Sequence, residues 1–383
     1  MRAAVTRPSE VRDLASEREI GAILLGERSP PRDPSSFTCM AMRHAMAPLL
    51  VRARVSELLP PIYASRLVDE ARRQAVLTEV RERELKRVLE ALHETGVDAL
   101  LIKGAHLASS CYPESHLRTR SDTDLFVRAG DRRIVGAALA RLRYRPQSLQ
   151  TGHLVLGQTL FDRDDAVGAA LDVHWRIAQP ALAASLFEFD DLWSRSVPLT
   201  RLSLVARGPS AADALALACV HQAAHHPGHD LLLWMYDIHL LLTGFSPDDA
   251  RAFVKLVEMR RMAAVCVAGL ESAAVVFPGP LVTDLLARLR PADPGEPSAA
   301  LLRPHGRLRG ILLDLRALDG FEARARLAAG HLFPPPAYMR ETFGPSSRAP
   351  LAWLYLRRLW RAARRGCVGA RGVSGRRPAG VDG

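Results

Sequence analysis

Residues 101–127, LIKGAHLASSCYPESHLRTRSDTDLFV, close on Asp122 and Asp124, set one residue apart at the head of an apolar run. Successive side chains of a strand point to opposite faces, so a strand here puts both carboxylates on one face. Converging carboxylates make an oxygen-rich site of the kind hard cations such as Mg²⁺ prefer. Leu125, Phe126 and Val127 carry the strand into a core, where an acidic pair is costly without a cation or a partner. Taken alone, Asp-x-Asp is more often the pattern of a turn or a solvated edge than of a metal site. A third acid sharpens the reading. AALDVHWRI, over 169–177, is another short apolar strand centred on Asp172, which faces the same ions if the two strands are neighbours. Between them FDRDDAVG brings Asp162, Asp164 and Asp165 next to Gly168, and reads as a solvated hairpin turn.

The surrounding sequence supplies elements to hold these acids. Leu67, Ala71, Ala75, Leu77, Val80, Leu85, Val88, Leu89 and Leu92 keep helical spacing, predicting an amphipathic helix over 64–94 that Gly96 ends. Residues 99–102 are the first strand, 131–142 a helix after the acidic strand, and 153–161 with 170–175 a hairpin. Residues 1–37 are polar with one helical piece near 9–25, and 38–62 are helical and apolar, broken at Pro60 and Pro61. Beyond Pro198 the texture is helical, with breaks at Pro227-Gly228, Gly244, Pro278-Gly279 and Pro291 to Pro297. The expected fold is α+β: a small mixed sheet with N-terminal helices and a mainly helical C-terminal region. Its expected divisions are 1–62, a polar and helical extension; 63–200, a core bearing the acids; 201–349, a helical region closing the cleft; and 350–383, a basic helix and tail.

Lys103-Gly104, Leu107-Ala108, Tyr112-Pro113, Arg118, Asp122 to Val127 and Asp172 to Arg176 occur in an order that resembles the uncharacterised nucleotidyltransferases of the DNA polymerase β superfamily. WSRSVP (193–198), HQAAHH (221–226), LWMYDIH (233–239) and LFPPPAYMRETFG (332–344) extend the resemblance over most of 75–345. It implies a nucleotidyltransferase core that moves a nucleoside monophosphate from an NTP to an acceptor, with release of pyrophosphate. It further implies two Mg²⁺ or Mn²⁺ ions, with Asp122 and Asp124 bridging both ions and the triphosphate. Asp172 would bind the catalytic ion and help activate the acceptor hydroxyl.

The chain departs from the wider superfamily at the phosphate loop, where the usual Gly-Ser or Gly-Gly is Lys103-Gly104. Gly104 can take dihedrals that let backbone N–H groups approach a phosphate, and Lys103 can add a point charge. Lys86, Lys103 and Lys255 are the lysines among 52 basic residues, so the other 49 are arginines and a lysine in this turn stands out. The alternative is a lysine snorkelling from a buried strand to the surface. Arg118 and Arg120 either meet phosphate or pair with the acids; the family pattern favours Arg118 and leaves Arg120 open.

His221, His225 and His229 are spaced four apart, but Pro227 and Gly228 interrupt the helix, so His221 and His225 alone share a face. Without a His-Glu-x-x-His pattern they read as polar groups lining the cleft rather than as ligands. Asp237, inside LLLWMYDIHLLL, reads as a buried hydrogen-bonding residue, and His174 points with Asp172, placed to orient that carboxylate or to contact nucleotide.

Composition excludes several classes. A chain of 383 residues with 48% apolar content buries a sizeable core, and no run of eighteen apolar residues predicts a membrane span. The N-terminal stretch lacks a secretory apolar region, which predicts a cytoplasmic protein. Cys39, Cys111, Cys219, Cys266 and Cys367 form neither a disulfide framework nor a zinc motif. The net charge of +11 is partly an arginine-rich coding bias, concentrated after Arg357. LAWLYLRRLWRAARRG predicts a basic amphipathic helix able to make weak contact with anionic lipid or nucleic acid. Because apolar residues at 353–356 run almost all round it, the preferred reading docks its aromatic side on the body, with a disordered tail from about Gly366. Two further classes therefore stand beside the enzyme: a catalytically silent nucleotide-binding or interaction protein, and an adaptor acting through the basic tail.

Overall fold

In a computed structural model of the chain, the described residues are 13–147, 157–163, 170–177, 186–225, 231–290, 295–302, 320–334, 336–343 and 349–371, with a few isolated positions besides. They divide into two compact units, one within Met1–Pro146 and Gly157–Ala317, the other within Gln147–Leu156 and Leu318–Gly383.

The first unit opens with three short helices, α1 (Leu14–Leu24), α2 (Pro34–Arg43) and α3 (Ala47–Arg52). Asp13 and Asp33 cap the first two by accepting hydrogen bonds from otherwise unpaired N-terminal amides, Ser16 N at 3.2 Å and Ser35 N at 3.0 Å. Helix α4 (Pro61–Glu94) begins three residues earlier than its apolar spacing predicts, because Pro61 at its first position has a preset φ and no donor to satisfy. It stops where Gly96 takes a φ of +75°. Strand β1 (Ala99–Ile102) runs into helix α5 (Lys103–Ser110), followed by β2 (Asp122–Val127), α6 (Arg132–Arg141), β3 (Arg145–Pro146), β4 (Gln158–Asp162) and β5 (Ala170–His174).

The five strands form one mixed sheet in the order β1-β2-β5-β4-β3. Strands β2 and β5 are parallel, and the other pairs are antiparallel. The hairpin expected around 153–175 exists as the β4–β5 pair. Of its turn, Asp162 closes β4, whereas Asp164, Asp165 and Gly168 lie outside the described residues.

Alternation sorts the central strands between two cores. Leu101, Leu125, Val127, Leu171 and Val173 face one, packed by Leu85, Val88, Leu89 and Leu92 of α4 and by Val135, Ala138 and Leu139 of α6. Leu100, Ile102 and Phe126 face the other. Burial on both faces is why these strands read as apolar runs. The second core is shared with α1–α3 and with the later helices α7 (Phe189–Ser194), α8 (Ala211–His225), α9 (Leu232–Thr243), α10 (Pro247–Arg260), α11 (Ala263–Ala274) and α12 (Pro280–Leu289). The N-terminal helices thus contribute Ile20, Phe37 and Leu50 to a core shared with the sheet and the helical region. A ribbon of β6 (Val197–Pro198) and β7 (Arg207–Gly208) lies between α7 and α8 in the chain. Breaks fall where expected at Gly244 and before Pro280; Ser246 and Asp249 form a capping box at the start of α10. Cys39, Cys111, Cys219 and Cys266 are free thiols.

The second unit holds α13 (Phe321–Leu332), α14 (Pro336–Phe343) and α15 (Leu351–Arg371). Helix α15 continues five residues past Gly366, where a disordered tail was expected to begin. Within this unit Leu354 is buried against Met339, with Leu351 and Tyr355 packed beside it, while Trp353 and Trp360, on the aromatic side expected to dock on the body, stand exposed. Among the described residues no helix is long and apolar enough to cross a membrane.

Candidate metal and nucleotide site

Register brings the acids together. Asp124 lies directly opposite Asp172 across the parallel β2–β5 pair, and Ile102 lies opposite Asp124 across β1–β2. The residue after Ile102 therefore emerges beside Asp124. That residue is Lys103, and its Nζ donates to Asp124 Oδ1 at 2.7 Å. His174, two residues beyond Asp172 on the same face of β5, places Nε2 2.8 Å from the same oxygen and 3.5 Å from Asp172 Oδ2. Gln158 of β4 donates to Asp172 Oδ2 at 2.5 Å.

The expected Lys-Gly turn is the first turn of α5, and its unusual backbone belongs to the lysine. Lys103 has a φ of 52°, a left-handed conformation that costs a non-glycine residue about 1–3 kcal/mol, held here by the ion pair with Asp124. Gly104 does not take the positive φ and packs closely against Arg118. A Cβ there would lie 3.4 Å from the Arg118 guanidinium.

Arg118 is fully engaged by protein. It donates through Nε and an Nη to both oxygens of Asp237 at 2.7–3.0 Å, and through the other Nη to the Thr119 carbonyl at 2.6 Å. The Tyr112 hydroxyl donates to Asp237 as well, at 2.7 Å. Asp237 thus anchors α9 to the segment that leads into β2. His221 of α8 lines the same cavity and packs edge-on against Trp234, with ring centroids 5.5 Å apart. His225 ends α8, and His226 and His229 lie outside the described residues.

The electrostatics follow from crowding. Burial raises the carboxyls of Asp122 and Asp172, and the Asp124 charge pushes both in the same direction. Burial acts the same way on Asp124, but the Lys103 ammonium and the His174 contact outweigh it and hold that carboxyl well below the usual carboxylate range. Burial opposes the charge on Lys103, and Asp124 more than compensates, so its ammonium is strengthened. One ligand atom from each of Asp124, Asp172 and His174 lies within 4.8 Å of the others. Asp172 Oδ1 is buried without a hydrogen-bond partner. Two carboxylates, one with an unsatisfied oxygen, and an imidazole suit a divalent cation such as Mg²⁺ or Mn²⁺. Asp122 flanks this trio on the same face of β2 without belonging to it.

Asp122, Asp124 and Asp172, with Lys103 and Gln158, line a cavity of about 660 Å³, roomy enough for a nucleotide-sized ligand. Sequence reasoning missed several of its walls. Arg73, Gln74 and Arg81 of α4 look, in sequence, like the solvated face of an amphipathic helix, and Gln158 is one polar residue in an edge hairpin. His106 of α5 has no motif around it; it is buried against Gly208, where any Cβ would meet its ring at 2.3 Å, and burial lowers its pKa to about 4.

A mixed sheet that delivers carboxylates from neighbouring strands to one nucleotide-sized cavity is the framework of a phosphoryl- or nucleotidyl-transfer protein. The chain belongs to the family described as uncharacterised nucleotidyltransferase, whose model matches residues 30–278. Membership makes it a transferase and supports nucleotidyl transfer as its general activity. The match takes in α2 and α3, assigned to the N-terminal extension above, and stops short of 332–344. No curated protein matches the chain.

Proposed function

We propose that this protein is a metal-dependent nucleotidyltransferase that moves a nucleoside monophosphate from an NTP to an acceptor hydroxyl. The observation that carries the reading is the facing pair Asp124 and Asp172 on parallel strands at the cavity, with Asp122 beside them. Asp122, Asp124 and Asp172 would hold Mg²⁺ or Mn²⁺, with His174 as an additional candidate ligand. When bound, such ions stabilise charge on the attacking and leaving oxygens of an in-line displacement.

The chain's own part is positioning and charge. The acceptor oxygen forms a bond to the α-phosphorus while the bond to the β-phosphate oxygen breaks, and pyrophosphate carries away the electron pair. Asp172 would help activate the acceptor hydroxyl and receive its proton, with Gln158 holding its Oδ2. Lys103 adds positive charge beside the phosphates. Arg118, locked to Asp237, would orient the segment entering β2.

One observation favours a second reading, a catalytically silent nucleotide-binding module: the Lys103 ammonium already sits on Asp124, where a cation would compete with it. Incubation with each α-labelled NTP, Mg²⁺ or Mn²⁺ and a cell extract as acceptor source separates the two. The enzyme reading expects labelled product with wild type and none with Asp122→Asn or Asp124→Asn. Full activity in both variants rules out the assigned acids, and nucleotide binding without any product leaves the silent module.

A further inference from the structure

Among the described residues, four arginines line the cavity, and three of them have work within the protein. Arg73 is paired with Glu70 at 2.7 Å, and Arg118 is held by Asp237. Arg81 donates through one Nη to the Arg120 carbonyl at 2.7 Å, which fixes the backbone of the segment before β2. Arg120 is different. It is 7% exposed, and its Nε and both Nη atoms are buried without a hydrogen-bond partner. Its charged surroundings are mixed, with Arg81 and Arg118 repelling it and Glu82 and Asp122 attracting it.

A buried guanidinium left without partners costs several kcal/mol, so a fold that keeps one gains by presenting it to an anion. The planar fork of five donors matches two oxygens of one phosphate, which makes arginine a suitable group for such a wall. Arg81, whose Nε is likewise buried and unpartnered, stands beside it. Asp122 and the other acids line the same cavity, so a phosphate on Arg120 would lie in the cavity that holds them.

We propose that Arg120, supported by Arg81, forms a phosphate-binding subsite in the wall of this cavity, taking either the polyphosphate of the NTP or a phosphate carried by the acceptor. The choice of ligand rests on the nucleotidyl-transfer reading, whereas the anion site itself does not need turnover.

Calorimetric titration of the full chain with inorganic pyrophosphate tests this, scoring binding alone. Arg120→Met should weaken pyrophosphate binding by about tenfold or more, while its melting temperature without ligand stays level or rises because an uncompensated charge has been removed. Arg120→Lys, which keeps the charge and loses the fork, covers the case in which methionine is not tolerated, and should also bind pyrophosphate more weakly than wild type. Competition between an NTP mixture and pyrophosphate assigns the subsite to the nucleotide; pyrophosphate binding that persists at saturating NTP assigns it to the acceptor. Wild-type affinity in both variants, or no pyrophosphate binding by wild type, overturns the subsite. With EDTA present to exclude the metal, Asp122→Asn is expected to bind pyrophosphate at least as well as wild type, so loss of transfer in that variant is not confused with loss of the anion site.

Discussion

Replacing Lys103 by methionine separates what the lysine does for the fold from what a metal would do in its place. The ammonium lies 2.7 Å from Asp124 Oδ1, and the two side chains are 17% and 9% exposed. Methionine keeps the stem and removes the charge, leaving three neighbouring carboxylates with His174 and Gln158 as their polar contacts. Breaking a buried pair by deleting one partner costs about 3–5 kcal/mol, and the partial exposure of Lys103 places the expected loss near the low end, about 3 kcal/mol. A divalent cation held by the same acids at a hundred times its Kd returns about 2.7 kcal/mol. Urea unfolding followed by tryptophan fluorescence should therefore show Lys103→Met about 3 kcal/mol less stable than wild type in EDTA. The variant should come close to wild type in Mn²⁺. Wild type should gain less from Mn²⁺, because its lysine competes for Asp124. An equal deficit with and without Mn²⁺ would refute the reasoning, since the acids would then not exchange a lysine for a metal.

Asp237→Asn should cost about 3–5 kcal/mol in the same unfolding assay by leaving Arg118 buried and unpaired, with part of the loss recovered in the double variant with Arg118→Met; a loss under about 1 kcal/mol would show that the pair does not hold α9 to the sheet. His106 makes stability depend on pH in a defined direction. Its folded pKa of about 4 lies below the unfolded value, so as pH falls below about 6.5 the unfolded chain takes a proton that the folded chain refuses. Wild type should lose about 3 kcal/mol more stability than His106→Leu between pH 7 and pH 4, and parallel pH profiles for the two would count against a buried neutral imidazole.

Period-two alternation in DTDLFV was enough to place Asp122 and Asp124 on one face, and in ALDVH it placed His174 with Asp172. Punctuation by Pro61, Gly96, Gly244 and Pro280 set the helix boundaries, because those residues act through local backbone geometry. Such rules are local and survive without knowledge of neighbours. They assign a side chain to a face but not to a partner. That β5 lies parallel to β2, with Asp172 directly across from Asp124, depends on strand order in the sheet, which no single element fixes.

Partner choice over longer spans was decided by packing alone. Arg118 and Arg120 look alike in RTRSD, yet the first is claimed by Asp237, 119 residues away, and the second by no side chain among the described residues. Lys103 was visible as an unusual lysine, but its left-handed backbone and its grip on Asp124 follow from Ile102 pairing opposite that aspartate. The sequence by itself determined which residues could do chemistry and which face each would occupy, because periodicity is a property of one element. Only the tertiary structure decided which charges neutralise one another and which are left for a ligand, because that balance is set where separate elements meet in a low-dielectric interior.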